Sequence, residues 1–226
     1  MKYLFLIADY DEFLPLVNEL EKKGLTKGDF YGLPCASFGV NGNEAFILCT
    51  YMGKVNSAYA ATLALAKKSF DGVISIGYSG AVSSFKKGDI VAGESYVECD
   101  FDLTPIGYRP GEKVKGRQYM YNADKSLLQH AQKNIKGIKT GKLGTGDFFL
   151  TDEVKREYYK KTFSISAFDM ESAAAAAVCA AMAVPYLSIR KISDNADDTA
   201  SSEYRESLAS ANEAFSDILL SLVKSI

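Results

Sequence analysis

The first apolar run, Tyr3–Ala8, is uninterrupted and stops abruptly at Asp9. A short run that is apolar at every position predicts a strand buried on both faces. Glu12–Lys23 then changes to helical spacing, with Pro15 expected in the first turn and Gly24 at the end. Ala45–Thr50 reads as a second core strand, Lys54–Ser69 as an alanine-rich helix, and Gly72–Gly77 as an apolar strand ending on glycine. Asp89–Val91 begins another strand. Asp124–Asn134 is a polar-faced helix with an acid suited to its first turn. Lys139–Gly146 has strand character, and Thr151–Lys161 is a charged helix with Thr151 as the expected cap.

The third quarter of the chain carries the sharpest contrast. Ile165–Phe168 reads as a strand, Met170–Met182 as a buried helix of small residues, Ala183–Pro185 as a turn and Tyr186–Ile192 as the next strand. A last helix is expected from about Glu203 to the C-terminus, where Tyr204, Leu208, Ala211, Phe215, Ile218, Leu222 and Ile226 recur every three or four positions. Alternation of this kind predicts an α/β fold, a three-layer αβα sandwich around a central mixed, twisted sheet. With no linker, repeat or low-complexity stretch, residues 1–226 are expected to form a single domain.

Composition narrows the function classes. Hydrophobic residues make up 47% of 226 residues, enough for a sizeable core, and the apolar runs are too short to span a bilayer. Lys2 and the following apolar stretch resemble a signal peptide only superficially, because Asp9, Asp11 and Glu12 stand where a small-residue cleavage site belongs. The net charge of -2 comes without a basic stripe, which argues against nucleic acid and membrane partners. Cys35, Cys49, Cys99 and Cys179 lack paired spacing and read as reduced, buried thiols of a cytoplasmic protein. The one histidine, His130, sits in a charged helical stretch and is expected at the surface. A histidine-based metal site or a Ser-His-Asp triad is poorly supported, and no metal or organic cofactor is expected.

In α/β folds, sites gather where strands end. The exits here are Asp9–Glu12, Gly77–Gly80, Gly146–Phe149, Asp169–Glu171 and Ser193–Asn195, and four of the five carry a carboxylate. Each has a plain structural reading: an acid after a strand caps a helix, glycines make a tight turn, and Phe148 and Phe149 fill a core. Glu171 is harder to explain that way. It opens a tightly packed alanine helix, where a carboxylate needs partners or water. Separated carboxylates around one pocket suit general acid/base chemistry.

Four blocks, taken together, resemble the nucleoside phosphorylase and nucleosidase family, and the bacterial 5'-methylthioadenosine/S-adenosylhomocysteine nucleosidases in particular. They are Val73–Val91, Cys99–Gly111, Phe168–Cys179 and Val184–Asp197. The resemblance spans Ile7 to the final helix. It implies a homodimer that cleaves a purine from its sugar, and a set of roles. Asp194, oriented by Ser193, would protonate N7 of the base. Glu12 would act as general base on the attacking water. Glu171 would bind ribose hydroxyls, with Met170 packed under the sugar. Phe149 would stack on the purine, with the backbone of Leu150 at its edge, and Arg190 would organise the carboxylates. Leu103, Ile106 and Tyr108 would reach across the dimer to cover the partner's 5'-substituent.

Purine leaves readily only once N7 is protonated, and the oxocarbenium-like sugar is stabilised by carboxylates. Asp194 must therefore carry a proton, so burial and carboxylates such as Glu12 and Glu171 are expected to raise its pKa. Phosphorylases of the family grip phosphate with arginines near the glycine turn and in the first loop. Here those places hold Ser75 and an acidic loop, which favours water as nucleophile. Three positions depart from the nucleosidase pattern. Tyr78 stands for a small hydroxyl residue and would narrow the pocket unless its ring swings out. Asp9 stands for an apolar residue and makes the 5' end more polar. Ile106 stands for an aromatic one. The competing readings are a phosphorylase or futalosine-type nucleosidase of the same fold, and a nucleoside-binding protein without turnover.

Overall fold

The computed structural model describes residues 1–117, 119–209 and 214–224. In chain order its elements are β1 (Lys2–Ile7), α1 (Tyr10–Glu21), β2 (Thr26–Phe30), β3 (Leu33–Val40), β4 (Asn43–Cys49), α2 (Lys54–Lys67), β5 (Gly72–Ala81), β6 (Ile90–Glu98), β7 (Met120–Asn122), α3 (Lys125–Asn134), β8 (Lys139–Thr145), α4 (Glu153–Phe163), β9 (Ala167–Asp169), α5 (Ser172–Ala181), β10 (Tyr186–Asp194), α6 (Ala200–Ala209) and α7 (Ala214–Lys224).

The strands form one mixed sheet. β1 lies parallel between β4 and β5, and β3 and β2 continue antiparallel from β4 to an edge. At the other end the sheet closes on itself: β5 pairs with both β9 and β10, β10 with β6, β6 with β8, and β8 with β9, while β7 flanks β6. Closure brings the ends of β5, β9 and β10 together.

Alternation along β1 explains why every position there is apolar. Tyr3, Phe5 and Ile7 pack with α1, α3 and α7 on one face; Leu4 and Leu6 pack with the alanines of α2 and α5 on the other. Helix–sheet–helix layering follows, as expected for a mixed α/β fold with a central sheet. Small residues on α2 and α5 (Ala60, Ala61, Ala64, Ala173, Ala175, Ala176) let both helices seat closely on the sheet.

Several local expectations change. α1 begins at Tyr10 with Asp9 as its cap, so Pro15 lies in the second turn. α4 is capped by Asp152, which accepts from Lys155 N, and Thr151 lies outside. Of the expected C-terminal helix, α6 and α7 cover 200–209 and 214–224; residues 210–213, Ala211 among them, and Ile226 lie outside the described residues. His130 is half-buried, its Nε2 3.0 Å from the Leu222 carbonyl oxygen, rather than a surface residue. All four cysteines are free and buried. Among the described residues, no helix is long and apolar enough to cross a membrane.

Candidate active site

Arg190 anchors the site. It sits mid-strand on β10, 1% exposed, with its register partner Gly77 on β5. Its Nε donates to Ser188 Oγ at 3.0 Å and lies 3.1 Å from Asp169 Oδ2; its Nη2 donates to Ser172 Oγ at 2.9 Å and Ser75 Oγ at 3.1 Å. Asp169 closes β9. It accepts from Thr145 Oγ1 at 2.8 Å and from the backbone N–H groups of Glu171 and Ser172 at 3.0 Å, and Ser172 Oγ donates to its other oxygen. One aspartate thus caps α5 and faces the guanidinium. A buried ion pair is tolerated when its remaining donors and acceptors are satisfied in this way.

Two glutamates converge above that floor. Glu171 Oε1 accepts from Gly53 N at 3.0 Å, and its Oε2 lies 3.7 Å from Arg190 Nη1. Gly53 has φ 99°, a left-handed conformation that favours glycine, and so aims its N–H inward. Glu12 enters from the first turn of α1. Its Oε1 accepts from Tyr78 N at 3.4 Å, and its Oε2 is buried without a hydrogen-bond partner among the described residues. Gly77 makes this approach possible: a Cβ there would lie 2.7 Å from Arg190 Nη1 and 2.8 Å from Glu12 Oε2. Burial pushes Glu12 up to about 8, with Asp9 and Glu171 adding and Arg190 opposing. Burial likewise pushes Glu171 up to about 7, with Arg190 opposing and Asp169 adding.

Asp194 ends β10, where the register with β5 shifts so that it pairs with Gly80. It is 2% exposed, accepts from Ser193 Oγ at 2.6 Å and from Ala196 N at 2.9 Å, and its Oδ1 fills the space a Cβ on Gly80 would need. Burial raises its pKa; the Ser193 and Ala196 donors oppose, and Glu203 and Asp197 add. The raising carboxylates are therefore these two, not Glu12 and Glu171, which lie with Arg190.

An open cleft joins these groups. Asp9, Glu12, Tyr78, Phe149, Leu150, Met170, Glu171, Arg190, Ser193 and Asp194 all line it. Leu103, Ile106 and Tyr108 do not; they lie on and beside the 3-10 turn Thr104–Ile106, and Ile106 is 68% exposed. Tyr78 does not obstruct the cleft as its size suggested. Its hydroxyl donates to the Ser207 carbonyl of α6 at 2.9 Å, and its ring packs against Phe215 of α7. Among the described residues, no group of three histidine, cysteine, aspartate or glutamate side chains could hold a metal ion.

The phosphorylase superfamily model matches residues 2–224, nearly the whole chain. The chain belongs to the phosphorylase superfamily. Within it, the sequence is 35% identical to a 5'-methylthioadenosine/S-adenosylhomocysteine nucleosidase of Geobacillus sp. (strain WCH70), over 83% of each chain. The fold matches the Helicobacter pylori enzyme of that name, solved with butyl-thio-DADMe-Immucillin-A, at a TM-score of 0.91 and 26% identity, covering 99% of this chain and 97% of that one. It also matches the futalosine hydrolase of Helicobacter pylori at a TM-score of 0.90 and 25% identity, covering 99% of this chain and 97% of that one.

Two residues that shape the cleft escaped sequence reasoning. Asp169 was visible at a strand exit, but nothing local marked it as the counter-ion of Arg190. Tyr204 falls on the apolar stripe of the C-terminal sequence, yet its hydroxyl donates to Asp9 Oδ2 at 2.6 Å and it lines the cleft.

Proposed function

We propose that the protein hydrolyses the N-glycosidic bond of an adenine nucleoside of the 5'-methylthioadenosine and S-adenosylhomocysteine kind, releasing adenine and the free sugar. The observation that carries this reading is the convergence of buried Glu12, Glu171 and Asp194 on one cleft whose only lysine, arginine or histidine among the described lining residues is Arg190. Asp169 and Glu171 already face that guanidinium, so an incoming phosphate would meet carboxylates with no free cation. Water meets no such barrier.

Asp194, whose hold on a proton burial strengthens, donates that proton to N7 as the bond to C1' breaks, with Ser193 fixing the carboxyl. Positive charge then develops on the sugar, and Glu171 and Glu12 stabilise it. Glu12 Oε2, free of any protein partner among the described residues, takes the proton of the attacking water in its ionised form, which becomes populated as pH approaches its raised pKa of about 8. Glu171 binds the ribose hydroxyls over Met170, Phe149 stacks on the purine, and Leu150 borders it. Arg190 keeps Glu171 and Asp169 in place. The exposed turn carrying Leu103, Ile106 and Tyr108 covers the 5' end of a partner's cleft in a homodimer, which accounts for the 68% exposure of Ile106 in the single chain. One domain does this work in the cytoplasm, a compartment compatible with four free buried thiols.

The test is adenine release from 5'-methylthioadenosine and S-adenosylhomocysteine, followed by chromatography. Turnover of either supports the reading. Tight binding of adenine with no release from either would instead mark a nucleoside-binding protein.

A further inference from the structure

The cleft has a polar end that the hydrolysis does not use. Asp9 caps α1, three residues before Glu12, and accepts from Asp11 N at 2.8 Å through Oδ1. Through Oδ2 it accepts from Tyr204 Oη at 2.6 Å, a bond that ties the first loop to α6 across 195 residues of sequence. Tyr204 is held edge-on to Phe149 at 5.5 Å and to Tyr78 at 5.8 Å.

We propose that Asp9, steadied by Tyr204, is a specificity-determining residue that binds a hydrogen-bond donor on the 5'-substituent of the nucleoside. This rests on the reading of the cleft as a nucleoside hydrolase site and names what that site prefers.

The carboxyl groups divide into two sets. Asp9 lines the cleft at the cap of α1, the helix whose first turn carries Glu12, whereas Asp194 lies at the end of β10 opposite Gly80. Asp9 therefore belongs with the sugar. With C1' turned to Glu12 and the ribose hydroxyls to Glu171, the sugar atom left to face Asp9 is C5'. What Asp9 offers there is acceptors only. A carboxylate has about four lone-pair sites, and two are filled by Asp11 N and Tyr204 Oη. The Tyr204 hydroxyl has given its hydrogen to Asp9, so it too can only accept. Among the described residues Asp9 makes no ion pair, and it is half-buried. A hydroxyl or ammonium group on C5' satisfies these acceptors. An alkyl or alkylthio group covers them without a donor and is turned over, but with a lower kcat/KM than a donor-bearing group, and an anionic group is repelled.

The experiment compares kcat/KM for adenosine, 5'-amino-5'-deoxyadenosine and 5'-deoxyadenosine, which differ only at that position. In the wild type, the hydroxyl and amino substrates should each exceed 5'-deoxyadenosine at least tenfold, the scale of a hydrogen bond to a charged group. In Asp9→Leu both ratios should collapse to within about threefold of unity. Ratios that stay at the wild-type value overturn the proposal. Because Asp9 also caps α1, Asp9→Asn provides a second reading: its amide oxygen keeps the cap by accepting from Asp11 N, while its amide nitrogen, in place of Oδ2, donates to Tyr204 Oη. Its amino-to-deoxy ratio should fall at least tenfold, and an unmoved ratio overturns the proposal equally. The adenosine arm reads a hydroxyl and the amino arm an ammonium. Wild-type protein that releases adenine from none of the three defeats the hydrolase reading itself; release with unmoved ratios defeats only the role of Asp9.

Discussion

Gly77→Ala adds a methyl group at the most crowded point of the site. The new Cβ would stand 2.7 Å from Arg190 Nη1 and 2.8 Å from Glu12 Oε2. Arg190 cannot yield cheaply, because it is 1% exposed and bonded to Ser75, Ser172, Ser188 and Asp169. Glu12 can, since its Oε2 has no partner among the described residues to hold it. It must retreat by about 0.6 Å to reach the 3.4 Å of ordinary contact. Overpacking of this kind costs about 1–3 kcal/mol, partly offset by about 0.4–1 kcal/mol from a stiffer unfolded chain. A net loss near 1–2 kcal/mol lowers Tm by roughly 2–8 °C. The effect on rate is larger, because displacing a catalytic group by about 1 Å can cost ~10²-fold. We expect kcat on 5'-methylthioadenosine to fall ~10- to 10²-fold, with KM changed less than about threefold. Gly28→Ala is the control: its Cβ would meet Cys35 Sγ at an ordinary 3.5 Å on the edge strand β2, and kcat should not move. A Gly77→Ala protein with wild-type kcat would refute the placement of Glu12 as the base.

Three further outcomes follow from the same geometry. Asp194→Asn removes the proton donor at N7 and should lower kcat ~10²- to 10⁴-fold; near-normal turnover in steady-state assays would take Asp194 out of the mechanism. Arg190→Met leaves Asp169 and Glu171 buried without their counter-charge, at a cost of about 3–5 kcal/mol, or a Tm lower by roughly 6–20 °C in calorimetry; a melt within about 2 °C of wild type would contradict the anchoring role. Glu12, raised from 4.5 to about 8, keeps its proton in the folded state after losing it in the unfolded one, so its contribution to stability is complete below pH 4.5 and disappears as pH rises through 8. Unfolding free energy should therefore fall by up to about 1.4 kcal/mol per pH unit in that window, less steeply in Glu12→Gln, and urea titrations with identical slopes for both proteins would rule this out.

The core elements were legible because burial on both faces writes itself as unbroken apolar runs: β1, β4 and β10 stand within two residues of where such runs predict them, whereas β5 continues past Gly77 to Ala81, so Gly77–Gly80 are paired strand and not the exit turn expected of them. β2 was not, because an edge strand with four exposed positions carries no such signal. β3 mixes buried and exposed positions around Pro34 and Gly39, and β7 is only three residues long. Strand-exit carboxylates were visible for the same reason as the strands. Their partners were not. The bond between Tyr204 and Asp9, and the pairing of Asp169 with Arg190, depend on which strands and helices become neighbours, a property of the closed sheet rather than of any local pattern.

The choice between water and phosphate is decided by the fate of the sugar. Purified protein is incubated with 5'-methylthioadenosine in phosphate-free buffer and again in 50 mM phosphate, and the sugar product is identified by mass. Equal rates of adenine release and a free reducing sugar in both buffers are the result expected from a cleft whose one guanidinium among the described residues is already neutralised. A rate that requires phosphate, with sugar 1-phosphate as product, would contradict it.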